Sequence, residues 1–187
     1  TVERGYLFVN KAEEYSKRYP DMTAEEMLAI IPRLEPKKIE MQEKFIDVLY
    51  SQKKKTQDFP PDDFAELLSS VNDKQTAEIQ LSFFDDLMKR NNITPKIAIN
   101  LVTNIEDRKH GLLKKMTGLT LLNKGIDPEG MLVLLPKVRN SQIAALYNRI
   151  CDYLIHERHI DSTTAASIMA NISSEYVFDL HKNLTEE

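Results

Sequence analysis

Val133-Leu134-Leu135-Pro136-Lys137-Val138 decides the fold, because four other stretches repeat its pattern. They are Ala29-Ile30-Ile31-Pro32-Arg33-Leu34, Glu66-Leu67-Leu68-Ser69-Ser70-Val71, Asn100-Leu101-Val102-Thr103-Asn104-Ile105 and Ser167-Ile168-Met169-Ala170-Asn171-Ile172. Each holds two adjacent apolar residues, two tolerant positions and a closing apolar residue. The closing residues Leu34, Val71, Ile105, Val138 and Ile172 stand 37, 34, 33 and 34 residues apart. Recurrence at one period marks a repeat architecture, in which each unit must bury its apolar face against its neighbours.

Further columns keep the same spacing. Two residues after the last four anchors stand Asp73, Asp107, Asn140 and Ser174, whose short side-chain oxygens suit a helix N-cap. A second column, Phe59, Ile93, Ile126 and Ile160, is followed by Pro60-Pro61, Thr94-Pro95, Asp127-Pro128 and Asp161-Ser162. A Thr or Asp followed by Pro reads as a cap and a first helical residue. Thr23 with Glu26 three residues on is a capping box. Each unit therefore reads as a short helix, a tight turn, a longer helix and another turn. The three extra residues of the first unit are placed at Lys53-Lys54-Lys55.

The longer helices carry apolar residues at three- and four-residue spacing, as an amphipathic helix requires. Ala77, Leu81, Phe84 and Met88 are expected to line one buried face, Leu112, Met116 and Leu119 another, and Ile143, Tyr147, Ile150 and Leu154 a third. No segment alternates with period two for long enough to form a sheet. The expected fold is all-α, a right-handed α-solenoid of stacked helical hairpins with a repeat of about 34 residues. Residues 1–21 are expected to hold an N-terminal capping helix, around 6–18, and residues 22–187 about four and a half hairpins. The start at Thr1 without Met and the short last unit lead us to expect a piece of a longer protein.

Composition narrows the function. The chain of 187 residues is 42% hydrophobic and 29% charged, ordinary for a folded protein and unlike a disordered one. A single cysteine, Cys151, rules out an internal disulfide framework and a Cys-based zinc site. It stands between Ile150 and Leu154 and reads as a small buried residue rather than a nucleophile. No run approaches a membrane span. With 25 basic and 29 acidic side chains, the chain lacks the basic excess by which phosphate binders usually declare themselves.

The sought catalytic constellations do not assemble. Asp152, His156 and His159 could share one helix face, but His156-Glu157-Arg158-His159 is not the H-E-x-x-H metal motif. A polar helix end beside a turn is the preferred reading. Side chains of adjacent acidic pairs such as Asp62-Asp63 and Asp85-Asp86 diverge on a helix. The five glycines are too scattered for a phosphate-cradling loop. We expect no enzyme, no cofactor, no metal and no small-molecule substrate.

Two segments, Leu87-Met88-Lys89-Arg90-Asn91-Asn92-Ile93-Thr94-Pro95 and Leu122-Asn123-Lys124-Gly125-Ile126-Asp127-Pro128, resemble the end of a pentatricopeptide unit. The short first helix beginning at a Pro or Asp turn, its Leu-Leu-x-x-Val core and the longer second helix resemble the heptatricopeptide and octotricopeptide repeats of organellar proteins, some of which carry a RAP domain. Residues 59–172 carry this resemblance. It implies a mitochondrial or plastid protein of RNA processing, RNA stability or ribonucleoprotein assembly.

In such repeats the ligand follows a polar column of the first helices. Here that column holds Arg33, Ser70, Asn104, Lys137 and Asn171 just before the anchors, and Arg139 just after one of them. Their side chains can bond exposed base edges or phosphates, or stand as solvated turn residues. Lys114-Lys115 reads as a solvated basic spot, and Tyr147, Tyr153 and Tyr176 as core. The expected partner is single-stranded RNA, protein subunits of a larger complex, or both, with no membrane. A protein–protein interaction scaffold is the alternative.

Overall fold

The computed structural model describes the backbone of residues 2–53 and 61–172, and the side chains of 5–51 and 61–172. Among the described residues there are ten α-helices and no strand, so the fold is all-α. Phe59, Lys54, Lys55, Ser174 and Tyr176 lie outside the described residues, and so does the side chain of Lys53. The chain divides into two compact units, Thr1–Thr103 and Asn104–Glu187.

The first unit begins with α1 (Val2–Arg18) and continues through α2 (Ala24–Ile30), α3 (Ile39–Lys53), α4 (Pro61–Ser70), α5 (Lys74–Met88) and α6 (Pro95–Thr103). Short and long helices alternate from α2 onward and sort into two layers. α2 packs on α4 and α4 on α6, while α3 packs on α5. Between the layers lie the fully buried rings of Phe45, Phe64 and Phe84. The Phe64 and Phe84 centroids stand 6.4 Å apart, within the range of favourable tilted ring pairs. α1 is fastened to α3 by Tyr15 and Lys11 on Glu43, and by Tyr19 and Arg18 on Asp47.

The second unit holds α7 (Arg108–Asn123), α8 (Pro128–Leu134), α9 (Ser141–Cys151), a π-helical turn over Asp152–Glu157, and α10 (Ser162–Asn171). α8 packs on α10 and α7 on α9. The α8–α10 approach is close at Gly130, where an added Cβ would stand 2.8 Å from Ala166 Cβ.

Local chemistry sets the boundaries. The Thr23 capping box is made, with Thr23 Oγ1 accepting from the Glu26 amide and Glu26 accepting from the Thr23 amide. Asp73, Asp107 and Asn140 accept from amides of the first turns of α5, α7 and α9, and Asp127 and Asp161 do so for α8 and α10. All five anchors, Leu34, Val71, Ile105, Val138 and Ile172, are buried.

Two short helices end differently from the others. In α2 and α8 the anchor motif contains Pro32 or Pro136, and the chain tightens into a 3-10 turn, Ile31–Arg33 or Leu135–Lys137. Proline has no N–H for the α-helical bond and crowds the preceding turn. The tighter turn instead closes from the Leu34 amide to Ile31 and from the Val138 amide to Leu135.

α7 corrects an expectation. Leu112 and Met116 do not line its buried face; they are 43% and 68% exposed, and Leu119 is half-buried. Its buried face consists of Gly111, Lys114, Thr117, Gly118, Leu121 and Leu122. The N-cap fixes the phase. Buried residues recur four, seven, ten, eleven and fourteen positions after the cap in α5, α7 and α9 alike. In α7 the first four of those positions carry the small or polar residues Gly111, Lys114, Thr117 and Gly118, the last carries Leu121, and Leu112 and Met116 stand on the outward side.

Candidate functional site

Each unit holds a cleft lined by both polar and apolar side chains. In the first unit, α2 and α4 border a cleft of about 700 Å³ lined by Leu28, Pro32, Arg33, Asp62, Glu66 and neighbouring small side chains. Leu28 is 63% exposed there. In the second unit, the beginnings of α7 and α9 border a cleft of about 560 Å³. Lys109, His110, Leu113, Met116, Arg139 and Asn140 line it.

The expected polar column falls into three groups. Arg33 and Arg139 are exposed and each lines one of these clefts. Lys137 and Asn104 are exposed, Lys137 at the end of a 3-10 turn and Asn104 between α6 and α7. Ser70 and Asn171 bond to the protein itself. The Ser70 hydroxyl donates to the Leu67 carbonyl at 2.8 Å and accepts from Gln80 Nε2 at 3.3 Å. Asn171 Nδ2 donates to the Ser167 carbonyl at 2.9 Å.

The column also marks where long helices grip the short ones. Gln42 Nε2 donates to the Leu68 carbonyl at 2.8 Å and Gln80 Nε2 to the Val102 carbonyl at 3.2 Å. His110 Nε2 lies 2.8 Å from the Val138 carbonyl. That carbonyl can only accept, so Nε2 carries the ring proton. These polar side chains satisfy backbone acceptors at helix ends, which would otherwise be costly to bury.

Lys114 is not a solvated surface lysine. It is buried, and its ammonium donates to the Asn104 carbonyl at 2.9 Å. Burial pulls its pKa down from the ordinary lysine value, and the charges of Glu106 and Asp107 oppose that shift. Lys124 bridges from the end of α7 to the Asn148 carbonyl and the Asp152 carboxylate, at 3.0 and 2.5 Å.

Of Asp152, His156 and His159, the first two lie in the π-helical turn and the third lies beyond it. Asp152 is engaged with Lys124, and His159 adopts a left-handed backbone, φ 54°. Among the described residues no group of three His, Cys, Asp or Glu is placed to share a metal. Cys151 is fully buried, and burial pushes its thiol up to about 11. Such a thiol holds its proton at neutral pH and is a poor nucleophile. Tyr147 and Tyr153 are buried, as expected for core. No helix among the described residues is long and apolar enough to cross a membrane.

Leu28, Lys109 and His110 are cleft residues that the sequence reading did not select, and Met116 is one that it placed on a buried face. The signal was present for Met116, since counting from Asp107 places it on the outward side of α7. It was absent for Leu28, whose exposure depends on how α2 meets α4. Comparison with known protein families, with characterised proteins and with solved structures finds no match for this chain.

Proposed function

We propose that this chain is a non-catalytic helical-repeat module, a solenoid of hairpins of about 34 residues, that binds a protein segment on its short-helix side. The observation that carries this reading is the α2–α4 cleft, where an exposed leucine sits among two carboxylates and one guanidinium. An apolar centre with a polar rim suits a peptide or helix. Asp62 and Glu66 repel a phosphate backbone. The internal bonds of Ser70 and Asn171 support the same reading, because they occupy two members of the column that RNA would need.

A second reading is single-stranded RNA held in an organellar ribonucleoprotein. The exposed Lys137 and Arg139, with Lys109 beside Arg139 in the same cleft, favour it.

Fluorescence-anisotropy titration with a random single-stranded RNA pool, at low and at physiological salt, separates the two. Under the protein-binding reading, the wild-type chain and the Lys137→Ala, Arg139→Ala double variant give the same weak signal. Steeply salt-dependent binding that the double variant loses would replace it with the RNA reading.

A further inference from the structure

We infer that the outward face of α7 docks an acidic amphipathic helix of a partner protein. The inference rests on the reading that the chain binds protein, but its surface belongs to the second unit and not to the α2–α4 cleft.

Leu112, Met116 and Leu119 stand at i, i+4 and i+7, so they form one stripe along α7. The register makes this stripe distinctive. The positions five, nine and twelve residues after the cap are Glu78, Ser82 and Asp85 in the α5 segment. They are Ala145, Arg149 and Asp152 after Asn140. Of the three helices, only α7 places a large apolar stripe where its counterparts are polar or carry a single methyl group. A helix laid in a groove is read through anchors at this same spacing.

Charge selects the occupant. α7 contains no acidic residue from Arg108 to Asn123. Arg108 and Lys109 are exposed at its start, and the exposed Arg139 shares the adjoining cleft with Lys109 and Met116. The two carboxylates just before the helix, Glu106 and Asp107, offset part of this charge, and Asp107 lines the same cleft. Asp107 caps α7 at the His110 amide, and both it and Glu106 act on the buried Lys114 ammonium. An apolar stripe beside Arg108, Lys109 and Arg139, which outnumber the neighbouring Glu106 and Asp107, fits a helix with apolar residues at i, i+3 or i+4, and i+7, flanked by Asp and Glu.

The test is a selection from a phage-displayed library of helical peptides of about four turns. The target is the full chain, and the Met116→Glu variant is the counter-selection target. Met116 is exposed, so this variant is expected to keep the wild-type circular dichroism and melting profile. The enriched peptides should share the apolar spacing and carry net negative charge. A synthesised winner should lose about tenfold or more in affinity to Met116→Glu. It should also weaken against Arg108→Glu and be unaffected by Leu28→Glu.

Several outcomes overturn the inference: no enrichment, enrichment of basic peptides, or a winner indifferent to Met116→Glu. Self-association abolished by Met116→Glu would make the occupant a second copy. Binding to phosphatidylserine vesicles abolished by the same variant would make it a lipid surface. A winner that loses affinity only to Leu28→Glu would sink the α7 site and leave the protein-binding reading standing.

Discussion

Gly125 shows how one residue ends a helix. Its φ of 100° lies in the left-handed region. Its amide reaches the Leu122 carbonyl, and the Ile126 amide reaches Leu121. This is a Schellman ending, sealed by the buried Ile126 and Leu121 side chains. Gly125→Ala should cost about 1–2 kcal/mol, read by urea denaturation, because a Cβ in this conformation meets the following carbonyl. His159 stands 34 residues on with the same left-handed sign. His159→Gly should therefore raise stability by up to about 1 kcal/mol, and a loss would mean that its imidazole makes a needed contact. Residues such as these were legible in part. The Gly-Ile-x-Pro turn could be read directly, whereas a histidine in a glycine conformation has no sequence signature. Lys114 was misread for a related reason, since its burial depends on the Asn104 carbonyl that it satisfies.

At the scale of elements, caps and anchors were the dependable signals and apolar spacing alone was not. Asp73, Asp107 and Asn140 mark helix starts through hydrogen bonds local in sequence. Leu112, Met116 and Leu119 satisfy the amphipathic spacing as well as any buried stripe, yet the first two are exposed and the third is only half-buried, because the cap and the buried anchor set the helix phase. Two substitutions separate the faces. Ile105→Ala removes a buried anchor and should cost about 2–5 kcal/mol. Met116→Ala should stay within about 0.5 kcal/mol, as at an exposed site. Equal costs for the two, by thermal or chemical unfolding, would mean that α7 is turned the other way. The two 3-10 endings could be anticipated from Pro32 and Pro136. The π-helical turn at Asp152–Glu157 could not, because no proline or glycine within it marks the change.

Across the whole molecule, the charge balance and the tyrosines give a pH response. Burial first, and then the carboxylates of Glu43, Asp47 and Glu26, raise the pKa values of Tyr15, Tyr19 and Tyr50 well above the ordinary tyrosine value. A raised folded pKa gives stability that is fully present below about pH 10 and lost above it, as the unfolded chain releases its phenolic protons first. The melting temperature should hold steady toward pH 9 and fall beyond pH 10, with a smaller fall in Tyr50→Phe. An unchanged melting temperature at pH 11 would contradict these burial and bonding assignments. The all-α character was legible in sequence because helix caps and buried apolar anchors leave local signals along the chain. The candidate site was less legible, because a surface cleft depends on which outward side chains gather around it. Photo-crosslinking from a benzoylphenylalanine placed at position 28 of the full chain in cells asks whether the occupant of the α2–α4 cleft is protein. The expected adduct resists ribonuclease and yields peptides of a second protein on mass spectrometry. An adduct shortened by ribonuclease would contradict the protein-binding reading.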